Sequence, residues 1–416
     1  NTYLTALSTF DYTEASVQTG LSNTWTEAYN TILNCNVVLD NLEKSDGVLL
    51  PAEYRMLKGE MLALRAFLHF DMLRLFGPVY KLHPEMESIP YNESSRVSAL
   101  PLLTADSVLH EKILRDLDEA ERMLVDSDPV IEGGRMASQE GDEDVEEDQD
   151  VYSRYRQLRM NYYAVLALKA RVYLYAGEEA KALAVARELL TDSKVDEYFP
   201  AVDPNKLLAN QDNPDRVFST EVLAGIYVKD RADIHTTYFS SEQAGTNYLH
   251  PRKNYVNANL FAEETQDYRF QSCWRTASNE NEGGYDFIKY EEIAKPTQAG
   301  ETEYFYAVFM SLIRLSEVYY IAAECEPVLA DKYEWLNKMR EHRGLSALTV
   351  VSDEDFMKRL RMEYLREFMG EGQIFFMYKR LYAHLFSDEN GNDANAYEAR
   401  EERYVLPLPS GEIANR

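Results

Sequence analysis

Cysteine is scarce in this chain, which has 3 in 416 residues. The three are Cys35, Cys273 and Cys325, and none belongs to a CxxC pair or has the spacing of a zinc site. Cys35 and Cys325 fall inside largely apolar helical segments. We therefore expect the cysteines to be small buried side chains, and we expect neither a metal site nor a cofactor.

Basic residues are also few compared with acidic ones. The chain has 43 lysines and arginines against 71 aspartates and glutamates, a formal net charge of -28. An acidic protein repels phosphate backbones, so this composition argues against nucleic-acid binding and suits a neutral or cationic ligand. No apolar run has the length of a transmembrane helix, and the first residues, NTYLTALSTFDYTEAS, contain no secretion signal.

Sequence motifs of catalysis are missing as well. The 7 histidines are scattered, and the chain contains no HExxH, GxSxG, Walker or GxGxxG motif. His69 and His110 lie in helical segments, where we expect satisfied structural histidines. Glu363, Glu367 and Glu371 recur every four residues near arginines, which favours a structural salt-bridge face over a glycosidase acid pair. These absences favour a binding protein over an enzyme.

What the chain does have is helical periodicity. In GEMLALRAFLHFDMLRLFG, residues 59–77, apolar side chains return every three or four positions, as on one face of a helix. We expect Gly77 to end this helix in a left-handed conformation, because Pro78 cannot continue it. The same periodicity predicts helices over residues 22–44 (with Ser22 as N-cap), 52–76, 105–125, 159–176, 178–192, 309–326, 331–343, 353–369 and 373–384.

The periodicity divides one domain, residues 1–416, into three parts. Residues 20–192 are expected to form an N-terminal helical scaffold with an acidic loop at 138–150, where a run of carboxylates is typical of a solvated loop and does not match an EF-hand. Residues 200–308 carry turn residues and short β-like pieces such as VLAGIYV and YDFIKY, which predict an irregular mixed insert. Residues 309–416 return to helices and end in an extended tail with two prolines.

Several of these segments resemble motifs of the SusD/RagB family of nutrient-binding outer-membrane lipoproteins. WTEAYNTILNCNVVLDNLE is similar to W…Y..I..AN.LL..I, and GEMLALRAFLHFDMLRLFG to AE…LRA…YF.L…LFG.VP. In the C-terminal half, RLSEVYYIAAE is similar to RLAEVYL..AEA, LNKMREHRG to LN.VR.RAG, and YVLPLPSGEI to Y.LPIP..EI. The similar segments occur in family order from Trp25 to the tail.

The chain departs from the family in one helix. The motif ER..EL.FEG.R..DL.R fits from Glu363 to Arg380 without a gap, but its arginine after EG falls on Ile374 and its aspartate on Met377. These positions are one helical turn apart, so the two charges would face each other. We therefore expect that apolar packing replaces an ion pair here.

The resemblance implies a mostly α fold, in which a tetratricopeptide-like helix-pair scaffold carries an irregular mixed α/β insert. It also implies a protein lipid-anchored on the extracellular face of a Bacteroidetes-type outer membrane, with its signal and anchor upstream of residue 1. The implied partner is a TonB-dependent SusC-like transporter, to which a glycan or oligosaccharide is delivered without catalysis. A peptide-binding RagB-like member, a helical-repeat scaffold that binds only protein and a glycoside hydrolase are the alternatives.

Candidate ligand residues lie in the insert, where twelve aromatic residues fall between Gly225 and Tyr290. Aromatic rings stack on sugar faces, and amide side chains hydrogen-bond hydroxyl groups both as donors and as acceptors. The candidates are Trp274, Tyr238, Tyr248, Tyr255, Tyr285 and Asn247. Trp274 is the preferred anchor, because its neighbours form no apolar core stripe. The alternative for each ring is packing within the insert, as we expect for Trp25 and Trp335 in the helical core.

Overall fold

The computed structural model describes residues 2–45, 47–96, 99–135, 154–209, 213–240, 248–249, 251, 255–262, 264–277, 284–293, 305–385 and 397–414. The acidic loop predicted at 138–150 and the candidate ligand residue Asn247 lie outside these ranges.

Helices dominate the described residues, which confirms the predicted mostly α fold. The α-helices are α1 (Thr2–Ser8), α2 (Ala15–Leu42), α3 (Pro51–Phe76), α4 (Leu114–Leu124), α5 (Val130–Gly133), α6 (Tyr162–Ala176), α7 (Glu179–Thr191), α8 (Ser193–Tyr198), α9 (Arg231–Phe239), α10 (Tyr268–Cys273), α11 (Leu315–Cys325), α12 (Leu329–His342), α13 (Asp353–Phe368), α14 (Gln373–Leu381), α15 (Glu401–Tyr404) and α16 (Ser410–Ala414). A π-helical segment, Ser107–Ile113, leads into α4. The strands are β1 (Val222–Tyr227), β2 (Trp274–Thr276), β3 (Tyr285–Phe287) and β4 (Phe309–Arg314).

The scaffold is built from helices that pack on their neighbours along the chain. α2 packs on α3, α3 on α4, α6 on α7, and α11 on both α7 and α12. Gly177 joins α6 to α7 with a φ of 77°, a left-handed conformation that glycine adopts without strain. Ala182 and Ala186 on α7 are fully buried. Their small side chains let the two helices approach closely. This pair has the tetratricopeptide-like form that the sequence predicts.

Two details of the helix ends differ from the predictions. α2 begins at Ala15, and its N-cap is Glu14 instead of Ser22, because the Glu14 carboxylate accepts hydrogen bonds from the backbone N–H groups of Ser16 and Val17. Gly77 does end α3, but in an extended conformation with a φ of -74°. A side chain at Gly77 would come within 2.6 Å of the Leu73 carbonyl oxygen, so lack of space is the reason for glycine there.

Two small antiparallel sheets carry the strands. β1 pairs with β4, and β2 pairs with β3, which confirms the strands predicted in VLAGIYV and YDFIKY. The prediction of helix over residues 309–314 is wrong, because these residues form β4 and the helix begins only at Leu315. The tail is also less extended than predicted, since it contains α15 and α16. In the described ranges, no helix combines the length and apolarity that a membrane crossing requires.

Candidate ligand-binding surface

A buried network of ion pairs fastens the insert to the C-terminal helices. Its members are largely or fully buried and balance in charge, with six cationic and six acidic side chains: Lys289, Arg269, Arg314, Arg340, Arg343, Arg366, Glu221, Glu264, Asp267, Glu363, Glu367 and Glu371. Arg269 on α10 donates to Glu363 at 2.6 Å and to Glu367 at 2.9 Å on α13. The network thereby fixes the position of the insert relative to the C-terminal helices.

The three glutamates of the predicted salt-bridge face all belong to this network, which confirms their structural role. Glu363 also accepts from Arg340 at 2.7 Å, and Arg314 donates to Glu371 at 2.8 Å. Burial alone would raise the pKa of Glu363, but Arg269, Arg366 and Arg340 outweigh it and lower the pKa to about 2. Carboxylates held in this way stay ionised and bound to arginine.

Trp274 lies in the core, contrary to the expectation that its ring stands apart from a core stripe. Only 7% of Trp274 is exposed. It sits opposite Phe287 in the β2–β3 pair, with ring centroids 5.0 Å apart, and Phe287 in turn contacts Phe239 at 5.7 Å. The strand pairing thus buries the indole among aromatic residues that are distant in the sequence.

The other candidate rings lie at different depths. Tyr248 is buried, with 7% of its surface exposed. Tyr255 is half-buried, and burial raises its pKa. Tyr285 is half-buried against Phe270, with ring centroids 5.5 Å apart. Each of these three rings is therefore engaged at least partly in packing the insert.

Helix α9 buries two polar side chains and leaves an apolar one exposed. Its polar residues Arg231 and His235 are buried, and they donate to or contact backbone carbonyls of residues 306, 309 and 287. Its apolar residue Ile234 is 44% exposed, and Tyr238, one helical turn further on, is half-buried. The backbone N–H of Leu249, also 44% exposed, donates to the Tyr238 carbonyl. We name Ile234, Tyr238 and Leu249 the α9 platform.

A further exposed ring lies close to the start of α9. Tyr227 ends β1 opposite Phe309, whose carbonyl accepts a hydrogen bond from Arg231. With 58% of its surface exposed, Tyr227 is the most exposed of the phenylalanine, tyrosine and tryptophan side chains among the described residues. Of Tyr227 and the three residues of the α9 platform, only Tyr238 is among the candidates predicted from the sequence. The four-residue spacing of Ile234 and Tyr238 in RADIHTTYF is the signal that could have located the platform.

A concave alternative exists on the helical scaffold. A cavity of about 280 Å³ is lined by Phe199, Ala201, Tyr319 and His342 among others, with Ser316 at its wall. The Ser316 hydroxyl is buried and has no hydrogen-bond partner within the described ranges. The volume is near the lower end of the range for small-molecule pockets, so the cavity could hold a ligand the size of one sugar ring.

The remaining predicted residues have structural surroundings. His69 is fully buried, contacts the Arg65 carbonyl and accepts from the backbone N–H of Asn92, and burial lowers its pKa to about 3. His110 pairs with Asp106 and Glu178. All three cysteines are free and buried, as expected. Where the chain is described, no group of three or more potential metal-binding side chains is found.

Family comparisons match most of the chain. A model of the SusD family matches residues 231–415, and a model of a SusD-like family described as starch-binding and associating with the outer membrane matches residues 3–132. Together these two ranges cover well over half of the chain. A comparison with curated protein sequences finds no significant match.

Several solved structures share the fold of this chain. A SusD superfamily protein from Bacteroides thetaiotaomicron is 22% identical over 94% of this chain and 83% of its own, with a TM-score of 0.66. A SusD-like carbohydrate-binding protein from Bacteroides vulgatus is 19% identical over 94% of this chain and 82% of its own (TM-score 0.67). A laminarin-binding SusD-like protein is 19% identical over 95% and 86% (TM-score 0.64). From both family models and the shared fold, the chain belongs to the SusD-like family.

Proposed function

We propose that this chain is a lipid-anchored protein on the outer face of the outer membrane that binds a glycan or oligosaccharide. It delivers this ligand to a TonB-dependent SusC-like transporter and breaks no bond in it. The family membership supports the class of function, and the name of the laminarin-binding neighbour supports a glycan ligand. The observation that carries the proposal is helix α9, which buries Arg231 and His235 while exposing Ile234.

The proposed ligand surface is the α9 platform together with Tyr227. Exposed apolar side chains that cluster on a surface mark binding sites. A tyrosine ring can stack on the C–H face of a sugar while the tyrosine hydroxyl forms a hydrogen bond with a sugar hydroxyl. Around this platform we propose Tyr255, Tyr285 and Tyr248 as flanking residues, while Asn247, outside the described ranges, stays a sequence-based candidate. Trp274 supports this surface from the core. Its ring packs on Phe287, which in turn packs on Phe239 of α9.

Isothermal titration tests the platform directly. Titrating laminarin and starch-derived oligosaccharides into the protein should release heat with at least one of them. Tyr238→Ala should lower the affinity about tenfold, as expected for the loss of an aromatic anchor. Tyr173→Ala, which removes a half-buried tyrosine from α6, is the matched control and should leave the affinity unchanged. Equal affinities of wild type and the folded Tyr238 variant would reject the platform.

The same titrations separate the alternative functions. If Ala201→Trp, which fills the 280 Å³ cavity, abolishes binding while Tyr238→Ala does not, the ligand site is that cavity. Heat from peptides alone would favour a RagB-like peptide-binding protein, and heat from neither class would favour a scaffold that binds only protein. Reducing-sugar release by the purified protein would instead indicate a glycoside hydrolase.

The transporter partner needs its own experiment. A tagged chain isolated from detergent-solubilised outer membranes of its own organism should co-purify with a SusC-like transporter identified by mass spectrometry. The control is a SusD-like protein of the same membranes that has its own transporter. Recovery of the tagged chain without any such transporter would contradict the delivery step.

A further inference from the structure

Helices α3, α6, α11, α13 and α14 line a small, partly open cavity. Its volume is about 30 Å³, enough for one or two water-sized groups. α3 contributes Arg74, α6 contributes Arg171 and Tyr175, α11 contributes Glu317, and α14 contributes Met377. The two arginines and the tyrosine are each at least 95% buried, so bulk water does not solvate their polar atoms.

Three hydrogen-bond donors in this wall have no partner among the described residues. They are Nε of Arg74, Nη1 of Arg171 and the hydroxyl of Tyr175. A buried donor without an acceptor costs about 1–3 kcal/mol, and more when it is charged. Three such donors around one cavity indicate an occupant that accepts hydrogen bonds.

Acceptor oxygens in the wall each accept a hydrogen bond from one of its arginines. Both carboxylate oxygens of Glu317 accept from Arg171, at 2.7 and 2.6 Å, and the Gln373 side-chain oxygen accepts from Arg74 at 3.1 Å. A water molecule must donate its own two hydrogens as well as accept. An anion accepts only, so it suits the unpartnered N–H groups of Arg74 and Arg171 and the hydroxyl hydrogen of Tyr175.

The buried cations in and beside the cavity differ in their acidic partners. Arg74 pairs with Asp71, Arg171 with Glu317 and Arg380 with Glu324. Lys379 is fully buried, and its ammonium donates to the carbonyls of Arg74 and Gly77 at 2.7 and 2.8 Å. In the part of the chain that the structure describes, Lys379 pairs with no carboxylate. Burial and the charge of Arg74 lower the pKa of Lys379 to about 7. A nearby negative charge would stabilise its charged form.

The sequence explains why an acceptor is missing here. Met377 lines the cavity and stands where the family motif places an aspartate. The expectation that apolar packing simply replaces an ion pair is therefore incomplete, because arginine donors remain beside Met377 without an acceptor.

From these observations we infer that the cavity is a binding site for a small monovalent anion of chloride size, held by Arg74, Arg171 and Tyr175. The anion takes the place of the carboxylate that Met377 does not supply. It is a site within the scaffold, and it does not depend on the proposed glycan surface.

Thermal unfolding in sodium chloride, compared with sodium gluconate at equal ionic strength, tests the site. Gluconate is too large for a cavity of about 30 Å³. Binding to the folded state alone raises its stability by mass action, so chloride should raise the Tm by about 1–3 °C at tenfold excess over its dissociation constant. Crystals soaked in sodium bromide should show an anomalous peak between Arg74, Arg171 and Tyr175.

Two substitutions at one position provide the control. Met377→Asp supplies a carboxylate, so it should remove the chloride dependence of the Tm. Met377→Leu keeps the position apolar and should retain that dependence. If the aspartate variant fails to fold, the bromide peak in the wild-type crystal decides. A Tm equal in chloride and gluconate, or a cavity that holds only water in bromide-soaked crystals, overturns the inference.

Discussion

Glu363 illustrates how single buried charges make this fold sensitive to acid. Its carboxylate accepts from Arg269, Arg340 and Arg366, and the pKa is about 2 in place of the usual 4.5. A carboxylate with a lowered folded-state pKa contributes stability that is present above the unfolded pKa. That contribution is lost as the pH falls from about 4.5 through about 2.

Glu363→Gln should therefore destabilise the protein at pH 7 by about 3 kcal/mol, because three buried guanidinium groups lose a common charge. The difference in the free energy of unfolding between the variant and the wild type should shrink as the pH approaches 2. Urea unfolding at pH 7, 5 and 3 measures it. Glu43→Gln removes an exposed partner of Lys58 and should cost less than about 1 kcal/mol. A Glu363 variant whose deficit stays constant with pH would contradict this assignment.

Gly77 is a second residue where the structure makes a sharp prediction. An added Cβ would lie 2.6 Å from the Leu73 carbonyl oxygen and 2.8 Å from a Leu73 methyl group. Since the backbone at the end of α3 must then move, Gly77→Ala should lower the free energy of unfolding by about 2 kcal/mol. Gly411 has nothing within 4 Å of the same position, so Gly411→Ala is the control and should be neutral. Equal midpoints of urea unfolding would show that the α3 end adapts without cost.

At the scale of elements, local patterns predicted most of the helices because helical periodicity is contained in neighbouring residues. The predicted ranges 52–76, 353–369 and 373–384 agree closely with α3, α13 and α14. β4 was missed because FMSLIR runs directly into an apolar helix and its partner β1 lies far away in the sequence. Pairing between distant segments determines that strand, and a local pattern cannot contain it.

The same limit applies to the candidate ligand surface. Trp274 is buried because β2 pairs with β3 and brings Phe287 beneath the indole. α9 exposes Ile234 because the buried carbonyls of Phe309 and Phe287 attract Arg231 and His235 to the inner face. Composition located the aromatic insert, whereas only these tertiary contacts distinguish the rings that pack from those that are exposed.

Trp274→Ala should consequently act on stability more than on ligand contact. Removing a buried indole from the β2–β3 pair leaves a cavity, so the free energy of unfolding should fall by about 3–5 kcal/mol. Thermal and urea unfolding measure the loss. Tyr227→Ala removes an exposed ring and should change stability by less than about 0.5 kcal/mol. A Trp274 variant that keeps wild-type stability and loses glycan affinity would restore the indole as a ligand anchor.

At the scale of the whole molecule, Glu367 connects the insert to the C-terminal part of the chain through three arginines. Its carboxylate lies on α13 and accepts from Arg269 of the insert, from Arg314 at the end of β4 and from Arg343 after α12. Arg343 in turn holds Glu221, just before β1, at 2.8 and 2.6 Å. Because these contacts are buried, the insert and the C-terminal helices should unfold as one cooperative unit.

Glu367→Ala tests this coupling. The substitution leaves three buried arginines without a shared acceptor, and it should cost about 3–5 kcal/mol. Hydrogen exchange should then show faster exchange at the same rate in residues 268–273, 309–314 and 353–368, since one opening reaction exposes all three. Glu334→Ala on the exposed face of α12 is the control and should leave these rates unchanged. Faster exchange confined to residues 353–368 would mean that the insert is held by its own aromatic packing. In that case the ion-pair network does not couple the insert to the C-terminal helices.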